Sequence, residues 1–202
     1  MARPKHDPDK APTTERILSA AVDEFGEHGF SGARLSDIAD LAGIRRQSVL
    51  YHFKSKEGLY AAVVEAGFVG LTTAAMRGMQ YQGPFGDKLT HVVGELTRYA
   101  GAHLGLIRTV TREIVHPTER ASEVHQRLSR LVDALVSFLE VSGSDLLRRD
   151  VPVRACVMQL MSGYLMRQAA MAVDSDLWGP DDPTLDLTRA LLLKPVAPSS
   201  VE

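Results

Sequence analysis

The stretch Leu35-Ser36-Asp37-Ile38-Ala39-Asp40-Leu41-Ala42-Gly43-Ile44, continued by Arg45-Arg46-Gln47-Ser48-Val49-Leu50-Tyr51-His52-Phe53, decides the architecture of this chain. It reads as two short helices joined by a glycine turn. Ser36 stands where an N-cap oxygen takes up a free backbone N–H, and Asp37 sets a carboxylate at the positive helix end. Ile38, Ala39, Leu41 and Ala42 supply a buried side, and Gly43 ends the helix. The second helix is expected over about 45–52, with Val49, Leu50 and Phe53 as inward anchors. Two such helices backed by a third make a helix-turn-helix unit, whose second helix enters the major groove of DNA. Here that helix begins Arg45-Arg46-Gln47-Ser48. Arginine can pair bidentately with guanine and glutamine with adenine. Ser48 can donate to a base or a phosphate, while Tyr51, His52 and Lys56 lie at the far end, where the DNA backbone passes.

Working outward, Pro12 and Thr13 start a first helix that Gly29 stops. Its Ile17, Leu18, Ala21, Val22 and Phe25 fall on one face at three- and four-residue steps. Ser55 caps a long fourth helix carrying Leu59, Ala62, Val63 and Ala66, which Gly83-Pro84 closes. Five more helices are expected, over about 86–103, 105–115, 118–141, 150–173 and 183–194. The seventh has the cleanest stripe: Ala121, Val124, Leu128, Leu131, Leu135 and Phe138. No strand-length alternation and no repeat appear. The expected fold is all-α with about nine helices: a flexible arm (1–11), a three-helix DNA-binding domain (12–58), a larger helical ligand-binding and dimerisation domain (59–194) and a disordered tail (195–202).

Composition agrees with a globular chain. The 202 residues are 45% apolar and 24% charged, enough apolar surface to exclude wholesale disorder. The longest run without Asp, Glu, Lys or Arg is twelve residues, Ala155 to Met166, against the ~20 of a membrane span. The N-terminus lacks an apolar signal segment, and the one cysteine, Cys156, excludes an intrachain disulfide. Together these predict a cytoplasmic protein without a membrane partner. Net charge is −2, which argues against a bulk nucleic-acid coat, but Gly43 to Lys56 holds Arg45, Arg46, Lys54 and Lys56 with no acid.

A resemblance follows from these residues. Thr14-Glu15-Arg16-Ile17-Leu18-Ser19-Ala20-Ala21 through Glu27-His28-Gly29-Phe30 is similar to the first helix of the TetR family of bacterial transcriptional regulators. Leu35-Ser36-Asp37-Ile38-Ala39 and Ala42-Gly43-Ile44 resemble its second helix and turn. Tyr51-His52-Phe53-Lys54-Ser55-Lys56-Glu57-Gly58-Leu59 resembles the end of its recognition helix and the start of its fourth helix. The likeness covers about residues 13–59. It implies a homodimeric repressor on a palindromic operator, with a small ligand changing the distance between two reading heads. The family's DNA contacts fall on Ser36, Arg45, Arg46, Gln47, Ser48, Tyr51, His52 and Lys56. Leu50 stands where many members have tyrosine, which removes one phosphate contact.

The C-terminal three quarters offer weaker signals. Met158, Met161, Met166 and Met171 lie on an eighth helix that is apolar nearly all round, which suits burial on two faces. Ala155, Ser162, Gly163 and Ala170 permit close helix approach, so the dimer is expected through the helices near 150–173 and 183–194. Met76, Leu104, Phe138, Met161, Tyr164, Met166 and Trp178 are candidate walls for a largely apolar ligand, though the same residues suit an ordinary core. His91, Glu95, Tyr99 and His103 line one face of the fifth helix, either as metal or acidic-ligand site or as a mixed polar face. Glu113-Ile114-Val115-His116 has the Glu-x-x-His spacing of di-iron bundles in a single copy, where two are needed. Cys156 reads as a core thiol, and the basic arm with Arg3, Lys5 and Lys10 could enter a minor groove. No nucleophile–base pair and no Gly-rich phosphate loop argue for an enzyme, and no cofactor is implied. A regulator controlled by a protein partner, or acting as an activator without a small ligand, is the alternative.

Overall fold

The computed structural model describes residues 11–170 and 181–195. Among these the helices are α1 (Thr13–Gly32), α2 (Leu35–Leu41), α3 (Arg46–Phe53), α4 (Lys56–Met79), α5 (Phe85–Ala102), α6 (Leu104–Val115), α7 (Ala121–Ser142), α8 (Val153–Ala170) and α9 (Thr184–Leu192). The one β feature among them is an isolated antiparallel bridge between Leu147 and Leu193, which ties the loop after α7 to the end of α9. The fold is all-α, as expected. Residues 1–10 of the arm, 196–202 of the tail, Met171 and Trp178 lie outside the described residues.

Local chemistry sets two of the helix ends expected from the sequence, at Gly29 and Ser55, but not a third. At Gly29 the backbone turns to φ 68°, ψ 175°, so the stop acts where expected, and one further turn carries the helix to Gly32. Ser55 accepts from the Gly58 N–H at 3.0 Å and caps α4. Ser36 does not cap α2. Its hydroxyl donates to the neighbouring Asp37 carboxylate at 3.0 Å, and the helix begins one residue earlier, after Arg34, whose own N–H is taken by Glu24 Oε1 at 3.3 Å.

The core is continuous from end to end. Ile17, Ala21 and Phe25 of α1 meet Ile38 and Ala39 of α2 and Val49 of α3, all buried. The same cluster runs through Leu59, Val63 and Phe68 of α4 into Leu89, Leu106, Val124, Leu131 and Leu192. α4 therefore belongs to both halves, and it passes unbroken through the boundary expected at residues 58 and 59.

α4 also corrects the argument from uncharged run length. It is long and apolar enough to cross a membrane, although Glu65 interrupts it, and half of its apolar window is buried inside the fold. Its neighbours are α1, α3, α5, α6 and α7, which makes it the central core helix.

The two metal-like patterns are occupied by other contacts. His91 stacks on Tyr81 (3.6 Å between centroids), and His103 stacks on Tyr99 (4.0 Å). Glu95 pairs with Arg98. Glu113 spends its carboxylate on Tyr60 and Thr118, with Tyr60 Oη donating at 3.1 Å. No group of three or more metal-ligating side chains forms among the described residues. Cys156 is half-buried and packs against the core.

Candidate nucleic-acid interface

α2, its turn and α3 form the helix-turn-helix unit. Gly43 adopts φ +64°, a conformation open to glycine and strained for residues with a Cβ. The Ile44 N–H returns to Ala39 O at 2.9 Å and closes the turn. From α1, the Arg16 guanidinium donates to the carbonyls of Ala42 and Gly43. This clamp lies 26 residues from its target, and no local pattern in the chain announces it.

Val49 is fully buried beneath α3 and orients the helix. Arg45, Arg46, Gln47, Tyr51 and His52 are exposed, Tyr51 at 84%. Gln47 and Tyr51 are four residues apart and share a face. Ser36 is exposed on α2, while Ser48 and Leu50 are half-buried. Lys54 ends α3 in the left-handed region at φ 63°, unusual for a residue with a Cβ, and keeps its side chain exposed.

Lys56 sits differently from the others. Its ammonium lies over the Phe30 ring (4.8 Å) and donates to Ser31 O at 3.4 Å, so it is half-buried against the end of α1. The Arg120 guanidinium lies 3.5 Å from the same ring. At the head of α4, the exposed Glu57 carboxyl is held below its usual range, first by its own backbone N–H and then by Ser55. The first turn of this helix thus stabilises negative charge.

Four arginine and lysine side chains, no intervening acid, and a short helix whose outer face is free of packing partners make a surface suited to phosphates and base edges. Residues 17–63 match the family described as bacterial regulatory proteins, tetR family. These residues form a domain of the kind found in the TetR family.

Among curated relatives, this domain is similar to that of the HTH-type transcriptional regulator RutR of Escherichia coli K12, with 56% identity over 48 residues. That match covers 24% of this chain and 23% of RutR, so the chain spans under a quarter of that relative's length. The HTH-type transcriptional repressor SCO4008 of Streptomyces coelicolor is 28% identical over 133 residues, covering 62% of this chain and 66% of its own. Among solved structures, a linker mutant of HlyIIR matches with TM-score 0.71 at 21% identity, over 89% of this chain and 96% of that one. The fatty acid degradation regulator FadR from Bacillus halodurans matches with TM-score 0.65 at 19% identity, over 90% and 93%. These two carry the fold across nearly the whole chain.

The C-terminal half holds a cavity of about 140 Å³ between α4, α5, α6, α7, α8 and α9. Phe138, Met161 and Tyr164 line it, as do Phe68, Leu71, Ile107, Leu131 and Leu135. Met76, Leu104 and Met166 do not. Met76 follows Leu71 by five residues and Met166 follows Met161 by five, which turns each about 140° around its helix, and both are half-exposed or more. Leu104 begins α6 a turn before Ile107 and lies outside the lining. The wall residues Leu128, Leu131 and Leu135 belong to the α7 stripe visible in sequence, where cavity wall and solid core have one and the same signature.

Proposed function

We propose that this chain is a transcriptional repressor that binds an inverted-repeat operator as a homodimer and is released by a small, largely apolar ligand. DNA contact is assigned to Ser36, Arg45, Arg46, Gln47, Ser48, Tyr51 and His52, with Lys56 reaching phosphate by leaving Phe30. The observation that carries the reading is α4. Its capped N-terminus follows the recognition helix directly, and its Phe68 and Leu71 form part of the cavity wall. A ligand that prefers one position of this helix therefore also selects one position of the reading head; equal affinity for both would shift nothing.

Two further features support the reading. α8 presents Ala155, Met158, Ser162 and Met166 on one exposed face, and a Cβ at Gly163 would meet open space. Leu187 of α9 is 48% exposed as well. Such a patch suits a second copy of the chain, and a two-fold dimer sets its recognition helices one turn of DNA apart, ~34 Å, or a multiple of it. SCO4008, with which this chain shares 62% of its length, is a repressor by name.

The test is titration of the purified protein against duplexes tiled across the DNA flanking its gene, at two salt concentrations, with Arg46→Ala in parallel. The expected result is tight binding to one inverted repeat, two chains per site. Arg46→Ala should lower that affinity by about 10- to 100-fold, the worth of one bidentate base contact at ~1–3 kcal/mol. Absence of any duplex preferred over random DNA, there and in a selection from random sequences, sinks the proposal. The salt slope, about 0.9 per phosphate contact, measures the footprint left by Leu50.

A further inference from the structure

The cavity wall is unusual in its polar groups more than in its size. Among its described lining residues none is Asp, Glu, Lys, Arg, His, Asn or Gln. The polar side chains among these described residues are four hydroxyls: Thr97, Tyr164, Thr184 and Thr188. Each has its hydrogen committed within the protein. Thr97 Oγ1 donates to Val93 O at 2.9 Å, and Tyr164 Oη donates to Thr97 O at 2.9 Å. Thr188 Oγ1 donates to Thr184 O, and Thr184 Oγ1 donates to Asp182 Oδ1, both at 2.6 Å. A hydroxyl has one hydrogen and two lone pairs, so what these four offer a guest is acceptor capacity alone.

Burial, and secondly the charge of Asp182, push the Tyr164 hydroxyl up to about 12, so it stays protonated across the working range. Asp181, Asp182 and Asp186 are exposed around the start of α9, and Arg167 of α8, which does not line the cavity, donates to Asp181 O. Arg189, the cation on α9, donates to Thr90 Oγ1 at 2.7 Å and does not line the cavity. A carboxylate entering here would lose its water and find neither hydrogen nor counter-charge among the lining side chains.

We infer that the cavity selects an uncharged, hydrocarbon-like effector, one carrying at most a hydrogen-bond donor, and excludes ionised carboxylic acids. This rests on reading the cavity as the effector site. Its size fits: an apolar cavity of ~150 Å³ stays dry and takes up benzene, and this one is about 140 Å³.

The test is calorimetric titration of the full chain with three probes of one shape: toluene, benzyl alcohol and benzoate. Toluene and benzyl alcohol should bind at one per chain with Kd below about 1 mM, and benzoate should bind at least ~30-fold more weakly than benzyl alcohol, reflecting its unrepaid desolvation. Val157→Phe and Ala100→Leu, which fill the space from two different helices, should each remove toluene binding; thermal unfolding without ligand reports that they fold. Benzoate within ~30-fold of benzyl alcohol overturns the inference. Toluene binding that survives both filling variants overturns it too, as does silence of all three probes. Saturable toluene binding with benzoate at least ~30-fold weaker than benzyl alcohol, but with operator affinity unchanged, upholds the selectivity inferred here and removes induction through the cavity, so the two readings fail separately.

Discussion

Glu113 is 3% exposed, yet it is the most heavily bonded carboxylate in the interior. It accepts from the Tyr60 hydroxyl at 3.1 Å, from the Thr118 N–H at 3.1 Å and from the Thr118 hydroxyl at 2.8 Å. Three donors from two other segments offset the desolvation of one carboxylate, and they join α4 to α6 and to the loop before α7. Tyr60 also meets the rings of Phe25 and Phe30 edge-on, at 5.2 and 5.4 Å, which extends the same contact into α1. Glu113→Ala should cost about 2–3 kcal/mol in urea unfolding, because it strands buried donors instead of removing a matched pair. Glu113→Gln should cost about 1 kcal/mol less, since its amide oxygen keeps an acceptor for one of them. Equal stability of Glu113→Ala and the parent chain would show that Tyr60 and Thr118 find other partners. In sequence Glu113 looked like one half of a metal motif. Its partner Tyr60 lies 53 residues away, and only packing brings them together.

Helices α1 and α6 cross where neither has a side chain. A Cβ built on Gly26 would lie 2.5 Å from Gly105 Cα, and one built on Gly105 would lie 2.8 Å from the Val22 carbonyl carbon. Both obstacles are backbone, which has no rotamer with which to yield. The contact is held by Arg112, donating to Gly26 O and Glu27 O at 3.2 Å, and by the Arg108–Glu27 ion pair at 2.7 Å. Gly105→Ala should therefore destabilise the chain by about 1–3 kcal/mol, lowering Tm by roughly 2–4 °C per kcal/mol. Gly94→Ala is the control: it is helical, exposed and has nothing within 4 Å, so it should be neutral or stabilising by up to ~1 kcal/mol. Matching Tm values for the two variants would refute the close crossing. The sequence places a break near Gly101 to Gly105, and α5 indeed ends at Ala102. What approaches that break is set by a helix some eighty residues earlier.

For the molecule as a whole, two measurements test assembly and pH response. The exposed Met158 and Met166 lie eight residues apart on the outer face of α8. Replacing both by glutamate should convert the proposed dimer to monomer in sedimentation and weaken operator binding with it, because two charges per chain would be buried against their copies. A double variant that still sediments as a dimer moves the interface elsewhere. Alkaline stability follows from three tyrosines. Burial raises the hydroxyls of Tyr60, Tyr99 and Tyr164, the last to about 12. At Tyr60 the buried Glu113 carboxylate adds to the effect. A raised pKa in the folded state means that the unfolded chain loses these protons first, near pH ~10. Their contribution is thus complete below that pH and is lost as pH rises through the folded values. Urea midpoints should fall between about pH 10 and 12, and Tyr164→Phe should flatten part of that fall. An unchanged slope in Tyr164→Phe removes Tyr164 from the account.

The helix-turn-helix was legible in sequence because its determinants are local. Gly43, Ser55, Val49 and the basic run from Arg45 to Lys56 act within one or two turns of where they stand, and helical order needs no more than that. The all-helical character of the rest followed from the same three- and four-residue steps. Tertiary structure decided everything that depends on which helices meet. It turned Met76 and Met166 away from the cavity that Met161 lines. It folded Lys56 onto Phe30 and set Arg16 as the clamp on the turn. It also left four hydroxyls facing a hydrocarbon space with their hydrogens already used. Apolar periodicity says that a face is buried, but a filled core and a cavity wall bury it equally well. The difference lies in the distance between helices, which is fixed by contacts such as Gly26 on Gly105 that join residues far apart in the chain.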